Sequence, residues 1–579
     1  MNRSLSPILL FCLLCLVTFV ASPVAAAQGT PDSGQVDRLS LSGVVTNSQG
    51  KPVKEVELGF YLNGNKIDTA ETMKTSNSGA YRVELEISRG VLPDGKIEIE
   101  TEKPCYACAN RIPVENVVKE RSDGRGNTIF LARQDFTLQR SITPAFWIAS
   151  GVLLLVYGLI AFELMHRTLA AFLGATLLLA TTYTLGTFNP DYAILTFEDA
   201  VRAIDMNVIF LLMAMMIVVG ILKKTGVFQW MAYKSYQVAG GNVFVLSVIL
   251  VVVTACASAF LDNVTTMLLI IPVTIEIALT LKLNPLTLLI PEVFASNVGG
   301  TATLIGDPPN IMIGSYAKLT FMNFVENLTL ICLICLVFTA ICYAFRYRKS
   351  YAAAKVDDVG ALIAHLREEY KITDGTLLMQ GAVVLAVTIL LFIFHGALHM
   401  EPSIAAMIGA VTLMLVSRVD IVEMIEKDIE WPTLIFFIML FIVVAGAEET
   451  GLIQVIAEWV KDMSKGSLVA AILMILWVSA LASAIIDNIP FTATMLPIVA
   501  YLTVEIPGAQ GGILWWALAL GACLGGNGTM IGASANVVTV GMAERAGYSI
   551  SFMQYAKAAF VPMLVTIVFC SIWLLYVAL

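Results

Sequence analysis

The chain has 579 residues, of which 58% are hydrophobic and 14% are charged, and its formal net charge is −9. So little charge over this length excludes an ordinary soluble enzyme and predicts a polytopic α-helical membrane protein. No basic run suits nucleic acid, and the four histidines lack the spacing of metal ligands. We therefore expect neither a nucleic-acid partner nor a cofactor.

Residues 1–27 predict a secretory signal peptide. Arg3 precedes an apolar run from Ile8 to Val20, and the small residues of the SPVAAAQ stretch suit a cleavage site. An uncleaved first transmembrane helix is the alternative interpretation. In both cases the next hundred residues are expected on the extracytoplasmic side.

Residues 37–140 contain short segments in which apolar and polar residues alternate, separated by turn sequences such as NSQG and NSG. This pattern predicts a small extracytoplasmic β-sandwich. Its opening, GVVTNSQGKPV, resembles carboxypeptidase-regulatory-like and transthyretin-like modules. Cys105 and Cys108 are the only cysteines of this segment, and a disulfide between them is predicted because the compartment is oxidising.

Residues 144–346 form the first predicted membrane repeat. Its first three helices are expected near Pro144–Met165, Leu169–Phe188 and Asn207–Leu222. Basic residues follow the first and third of these helices, which places those ends in the cytosol by the positive-inside rule. Val243–Ile271 is then predicted as a helical hairpin that turns near Asp262, although it is also long enough to span once.

A helix interruption is predicted between Leu288 and Ser315. The motif GGTATLIGDPPN begins at Gly299 and is rich in helix-breaking residues, yet both of its flanks are apolar. Non-helical backbone at membrane depth survives only where protein buries it or where it lines a polar cavity. The motif therefore predicts a binding site at the break.

Residues 375–579 repeat this organisation after a cytosolic connecting helix predicted at 347–374. The hairpin motif recurs 225 residues later at Asp487, and the glycine motif recurs 226 residues later at Gly525, as GGNGTMIGASAN. The first repeat has an odd number of crossings, so the second is inverted. The predicted fold is an inverted repeat with two re-entrant hairpins and two interrupted helices.

Both motifs resemble those of the ion-transporter superfamily. DNVTTML, which begins at Asp262, and the glycine motif at Gly299 are most similar to the branch of arsenite-efflux permeases, sodium/proton antiporters and pigmentation P-proteins. The likeness to divalent anion:sodium symporters, which carry a Ser-Asn-Thr triplet at the hairpin, is more distant. The resemblance covers residues 144–579 and implies a substrate site between hairpin tips and interrupted helices, in a dimeric elevator arrangement.

Carboxylates are central to the predicted site, because a charged side chain within apolar helices is costly and normally faces a cavity. Asp262 and Asp487 recur at equivalent positions, and each could alternate between a proton and a cation. Asp307 has no counterpart in the second motif, so the site should be chemically asymmetric. Capping of the following helix is the alternative role of Asp262 and Asp487.

Amide and hydroxyl oxygens add hard ligands that would suit a sodium ion at the same positions. Close helix packing is the alternative role of the motif glycines, and bonding to their own backbone is that of the threonines. The predicted substrate- and ion-binding residues are Asp262, Asn263, Thr265, Thr266, Gly299, Gly300, Thr303, Gly306, Asp307, Asn310, Asp487, Asn488, Gly525, Gly526, Thr529, Gly532 and Asn536.

The sequence predicts a secondary active transporter, not an enzyme, in the inner or plasma membrane. Carboxylates repel an anion unless they are protonated or paired with a cation, and the motif segments hold no Arg or Lys. Cation/proton antiport or arsenite-type efflux is therefore favoured over sodium-coupled uptake of citrate, another dicarboxylate or sulfate. A membrane-anchored receptor that uses the β domain is the alternative of another class.

Overall fold

The structure is a computed structural model, and a defined part of the chain is described. The described residues are 36–47, 50, 52–54, 56–67, 73–76, 78–88, 96–103, 106, 111–114, 117–122, 128–139, 141–354, 363 and 366–578. The predicted signal peptide and the predicted Cys105–Cys108 disulfide lie outside them. The chain divides into two compact units, one formed by residues 1–102 and 108–138 and the other by 103–107 and 139–579.

The first unit contains two five-stranded sheets among its described residues. One sheet has the order β10-β1-β9-β8, with β5 also paired to β1, and the other has the order β3-β2-β6-β7, with β4 also paired to β2. The strands are β1 (Val36–Asn47), β2 (Glu57–Leu62), β3 (Asn65–Lys66), β4 (Met73–Lys74), β5 (Ala80–Ser88), β6 (Ile97–Glu102), β7 (Ile112–Pro113), β8 (Val118–Ser122), β9 (Thr128–Arg133) and β10 (Phe136–Leu138).

Buried apolar residues alternate with more exposed residues along these strands, and the buried residues form the core of the first unit. Leu39 and Leu41 of β1 are fully buried, and so are Phe60 of β2 and Ile99 of β6, which are paired across their sheet. Successive side chains of a strand point to opposite faces, so every second residue faces the core. The sandwich arrangement and its extracytoplasmic location stay predictions.

The second unit is helical. Its helices are α1 (Pro144–Ala161), α2 (Arg167–Tyr183), α3 (Leu185–Phe188), α4 (Phe197–Arg202), α5 (Met206–Lys223), α6 (Val227–Ala239), α7 (Val243–Ser258), α8 (Asn263–Thr280), α9 (Leu286–Thr301), α10 (Pro308–Ala317), α11 (Phe321–Arg346), α12 (Arg348–Ala352), α13 (Gly375–Phe394), α14 (Pro402–Ser417), α15 (Ile421–Lys427), α16 (Trp431–Glu449), α17 (Leu452–Ser464), α18 (Leu468–Ser483), α19 (Asn488–Glu505), α20 (Ile513–Gly525), α21 (Ser534–Arg545) and α22 (Phe552–Ala578). Among the described residues, eight helices are long and apolar enough to cross a membrane.

Helices α1, α2, α5, α13, α14 and α16, which we call the scaffold, interlock the two repeats. Helix α2 packs on α16, and the equivalent pair, α14 and α5, packs in the same way. Small residues permit the close approach: an added Cβ at Gly174 of α2 would lie 3.0 Å from Val443, and one at Gly446 of α16 would lie 2.7 Å from Leu178. Helices of the first repeat therefore pack directly against helices of the second repeat within the scaffold.

We call α7 to α10 and α18 to α21 the bundle. These helices carry the sequence motifs, and the predicted turns and breaks lie between them. The first hairpin turns between α7 and α8, and the second turns between α18 and α19. Helix is interrupted after α9, where residues 302–307 are not helical, and again after α20, where a short 3-10 turn and a stretch of turns and bends precede α21. Re-entrance of the hairpins stays a prediction.

The segment between the repeats is described in pieces. After α12, residues 353 and 354 are not helical, and 366–369 form a further helical turn. Residues 355–362 and 364–365 lie outside the described part of the chain. The prediction of a single connecting helix over 347–374 is therefore wrong, because residues 353–354 and 370–374 are not helical, and the cytosolic location of this segment stays a prediction.

In each repeat, one glycine of the interrupted helix allows it to pack closely against the first helix of the hairpin. A Cβ added at Gly299 would lie 2.1 Å from the carbonyl oxygen of Ala255, and one at Gly525 would lie 2.5 Å from that of Ala480. We expect Gly299→Ala to destabilise the protein by about 1–3 kcal/mol, because the neighbour at the clash is backbone and overpacking forces it to shift. The melting temperature of the purified protein in detergent measures this effect.

Gly541→Ala is the matched control for that substitution. Nothing lies within 4 Å of a Cβ added at Gly541 in α21. Its melting temperature should equal or exceed that of the wild type, because alanine is the better helix former. Equal melting temperatures for Gly299→Ala and Gly541→Ala would contradict the packing argument.

Candidate functional site

Four helices begin at the same small cavity. Its lining includes Asn263 at the start of α8, Pro308 at the start of α10, Asn488 at the start of α19 and Ser534 at the start of α21. The N-terminus of a helix carries a partial positive charge and free backbone N–H groups. Four such ends around one cavity favour negative charge there, whether it comes from side chains or from a bound anion.

The residues that precede these four helices are Asp262, Asp307, Asp487 and Ala533. Asp262 accepts hydrogen bonds from the backbone nitrogen of Thr265 at 3.0 Å and from its hydroxyl at 2.8 Å. Asp487 accepts from the backbone nitrogen of Ile489 at 3.0 Å. The capping role considered for Asp262 and Asp487 is therefore present in the structure, and the ion-binding role would be additional to it.

Asp307 occupies the equivalent position before α10 but makes no cap. Its side chain is fully buried, and it accepts from the amide of Asn263 at 3.2 Å and from that of Asn488 at 3.5 Å. One carboxylate from a broken helix thus lies between the tips of both hairpins. Because Ala533 is its counterpart, the two halves of the site differ in the way that the motifs predict.

Asn297 of the first repeat is hydrogen-bonded to two asparagines of the second repeat. Its amide nitrogen donates to the amide oxygen of Asn527 at 3.0 Å and to that of Asn536 at 3.1 Å, and its oxygen accepts from Asn263 at 3.1 Å. Asn297 and Asn527 are not among the predicted residues. In the second repeat, Cys523 and not an asparagine occupies the position of Asn297, so comparison of the two motifs gave no signal for it.

The predicted Asn310 and Asn536 close the breaks of the two interrupted helices. The amide of Asn310 donates to the carbonyl oxygen of Thr303 at 2.8 Å, and that of Asn536 donates to the carbonyl oxygen of Thr529 at 2.8 Å. The hydroxyls of Thr303 and Thr529 donate to backbone carbonyls at the two hairpin turns, those of Ala259 and Ala484. These four side chains hold non-helical backbone in place, and none of them lines the cavity.

Arg167 brings a positive charge to the site from outside the motifs. It lies at the start of α2, 3.5 Å from the carboxylate of Asp487. Its guanidinium also donates to the hydroxyl of Ser534, and to that of Thr433 at 3.1 Å. The motif segments hold no basic residue, but the site does. From the sequence, the basic residues at the end of the first helix indicate only that this end is cytosolic by the positive-inside rule, so Arg167 is not among the predicted site residues.

A second, larger cavity leads to the same residues. It shares Arg167, Glu430, Thr433 and Ser534 with the first cavity, and it also reaches Asp487. Its remaining polar lining is contributed by Glu163, His166 and Lys427, at the ends of α1 and α15. The two cavities therefore adjoin, and the positive-inside rule predicts that the larger one opens towards the cytosol.

Metal ligation of the usual kind is not found in the part of the chain that the structure describes. Among the described residues, no group of three or more His, Cys, Asp or Glu side chains lies close enough together to hold a metal ion. The side-chain oxygens at the cavity come from carboxylates, amides and hydroxyls, those of Asp262, Asp307, Glu430, Asn263, Asn488, Thr433 and Ser534. Carboxylate and amide oxygens are the ligands of hard cations, so the donor set fits the predicted sodium better than it fits zinc or iron.

Comparison with known proteins decides the family. Residues 157–521 match the model of the citrate transporter family, CitMHS. The chain belongs to this family. It is 41% identical over 441 residues to an uncharacterized transporter of Mycobacterium tuberculosis, covering 75% of this chain and 99% of that protein. It is 36% identical over 514 residues to the human P protein, covering 76% of this chain and 60% of that protein.

The citrate transporter family lies within the superfamily that the motifs predict, so that prediction is confirmed. The chain is an integral membrane protein of a transporter family and not an enzyme. Among solved structures, the YdaH transporter of Alcanivorax borkumensis is 14% identical, with a TM-score of 0.49, and the match covers 71% of this chain and 98% of that one.

Proposed function

We propose that this member of the citrate transporter family is a secondary active transporter that moves a small anion together with a proton or sodium ion. One observation carries the proposal: Arg167 reaches Asp487 and Ser534 at a cavity where four helices begin. The guanidinium and the helix ends offer an anion the positive potential that the motif residues alone do not supply. A citrate-like carboxylate is the first substrate to test.

We assign the binding of the coupling ion to Asp307 and Asp262, the carboxylates of the bundle that line the first cavity. Asp307 is fully buried and is held by two amides, so its ionised form requires a proton or cation for neutralisation. Asp262 lines the same cavity. Occupation of these oxygens by a proton or sodium would remove the repulsion that an anion beside Arg167 would otherwise meet.

The contacts of Arg167 also suit the elevator mechanism implied by the superfamily. Arg167 and Thr433 belong to the scaffold, whereas Asp487 and Ser534 belong to the bundle. Displacement of the bundle along the scaffold must therefore break the contacts of Arg167 with Asp487 and Ser534. A bound anion could replace one of these partners. Elevator movement and homodimerisation both form part of the proposal.

Cation/proton antiport is the second candidate function. It is favoured by the balance of charge, because Asp262, Asp307 and Glu430 line the first cavity beside a single arginine. This arrangement could bind two cations in turn without an anion. The larger cavity adds Asp487 to the acidic side.

Flux measurements on the purified full chain in proteoliposomes test both candidates. Citrate, arsenite, sulfate, chloride and sodium would each be offered under an imposed pH or sodium gradient. We expect saturable uptake of one species, with accumulation that follows the gradient. Flux that rises linearly with concentration and ignores both gradients would indicate a channel and contradict the proposal.

A further inference from the structure

A buried carboxyl group lies in the first repeat, away from both cavities. Glu292 of α9 is fully buried. Its Oε1 accepts from the hydroxyl of Thr274 in α8 at 3.0 Å, and its Oε2 is buried without a partner. Leaving a carboxyl oxygen unpaired in a protein interior is costly, so such a group in a transporter requires an explanation.

Polar groups on and beside α9, which we call the polar row, lie between Glu292 and the site. Ser296 lies one helical turn from Glu292, about 6 Å along the axis. Its hydroxyl donates to that of Ser258 at 3.1 Å and contacts the carbonyl oxygen of Asn263 at 3.4 Å. The amide of Asn263 in turn donates to Asp307 at 3.2 Å. Hydroxyl and amide groups thus line the space between the two buried carboxyls.

The same row continues in the other direction, towards the base of the first hairpin. Tyr351 of α12 donates its hydroxyl to the carbonyl oxygen of Thr287 at 2.7 Å, and that hydroxyl lies 3.0 Å from the hydroxyl of Ser247 in α7. Thr287 lies five residues before Glu292 on α9. Polar groups therefore flank Glu292 on both sides along the helix.

The second repeat lacks this row. At the glycine-motif offset of 226, Leu518 occupies the position of Glu292 and Ala522 that of Ser296. At the hairpin offset of 225, Val499 occupies the position of Thr274. Nevertheless α20 packs on α18 as α9 packs on α7. The fold forms with apolar residues at these positions, so the polar row of the first repeat is not needed for the packing itself.

No charged side chain contacts Glu292 among the described residues. Titratable groups on the surrounding helices include Tyr343 of α11, which lies against Phe294, Tyr351 of α12, and Glu276 of α8, which is bonded to Tyr370. Arg346 of α11 and Lys557 of α22 line a further cavity together with Thr287 and Ile290 of α9. None of these groups is a counter-ion for Glu292. An ionised Glu292 would thus be an unpaired buried charge, and its neutral form is the stable one in this arrangement.

We propose that Glu292 is a second proton-binding site of the transporter, which takes up and releases one proton in each transport cycle. The proton is held by the Glu292 carboxyl and released along the polar row, either to the carboxylate of Asp307 or to water at the hairpin base. The inference rests on the proposed coupled transport. Only the first repeat has this site, so coupling is asymmetric between the repeats.

Carbodiimide labelling of the full-length wild-type protein tests the protonation directly. Dicyclohexylcarbodiimide modifies protonated carboxyls in apolar surroundings, and mass spectrometry of the peptide that contains Glu292 measures the labelled fraction between about pH 5 and pH 9. We expect labelling to fall about tenfold for each pH unit above its midpoint. Labelling that is independent of pH would overturn the inference, because it would identify a permanently neutral structural side chain.

Flux through Glu292→Gln provides the second readout, with Glu276→Gln as the matched control. We expect Glu292→Gln to lose accumulation driven by a pH gradient while equilibrium exchange of substrate persists, and we expect Glu276→Gln to retain both. Unchanged gradient-driven accumulation in Glu292→Gln would count against the inference. Absence of any flux in the wild type would instead contradict the proposed function. The labelling result does not depend on flux, so it tests the protonation of Glu292 separately from the proposed function.

Discussion

Asp307→Asn should abolish gradient-driven transport while leaving the protein folded. Asparagine has nearly the same shape, and its oxygen can still accept from Asn263 or Asn488, which both bond to Asp307 in the wild type. Its amide cannot bind a proton or carry the charge that attracts a cation, so the coupling step is lost. Accumulation of substrate in proteoliposomes against its own concentration gradient measures this effect, and the melting temperature checks the fold.

Asp420→Asn is the matched control for Asp307→Asn. Asp420 is exposed and caps α15 through the backbone nitrogens of Val422 and Glu423. Its substitution should leave transport unchanged, since asparagine caps a helix about as well as aspartate does. Wild-type accumulation in a folded Asp307→Asn protein would show that the buried carboxylate does not couple transport.

Arg167→Gln should raise the substrate concentration required for half-maximal transport at least about 30-fold, because removing one partner of a buried charge pair costs about 2–5 kcal/mol. Arg167 is 23% exposed and Asp487 is 11% exposed, so both charges are largely removed from water. Arg167→Lys should lie between the wild type and Arg167→Gln, because lysine keeps the charge but lacks the forked geometry. The concentration dependence of initial uptake rates distinguishes the three proteins.

Arg202→Gln provides the comparison for Arg167→Gln. Arg202 pairs with Glu198 on the exposed surface of α4 at 2.5 Å. An exposed pair of this kind contributes little, so transport should be unaffected. A similar rise in the substrate concentration for half-maximal transport in Arg167→Gln and Arg202→Gln would indicate a general effect of surface charge. It would remove the argument for an anion site at Arg167.

The helix breaks were predictable because their cause is local. Pro308 and Pro309 have no backbone N–H to donate to a preceding helical turn, so a new helix begins at them, and the structure interrupts helix between α9 and α10 as expected. The second break was predictable from its match to the first. Equivalent residues 225 or 226 positions apart occupy equivalent places at the turns and breaks, as Asp262 and Asp487 do at the two caps.

The partners of the motif residues were not predictable in the same way, because they depend on which helices meet. Arg167 reaches Asp487 across 320 residues, and Asn297 reaches Asn527 across 230 residues. Neither Arg167 nor Asn297 has a counterpart in the other repeat, so internal comparison could not identify them. Asn310 and Asn536, by contrast, were identified by their repetition, but they hold the breaks together and do not line the cavity.

The central claim is that the cavity where the four helices begin binds the transported substrate. The most direct test is the rate at which a membrane-impermeant maleimide labels Ser534→Cys in oriented vesicles, with the exposed Cys256 of the wild type as background. Arg167 and the start of α21 should favour the reactive thiolate at this position. We predict labelling from the side of the larger cavity, slowed strongly by the substrate that the flux measurements identify. Labelling at the same rate with and without that substrate would contradict the claim.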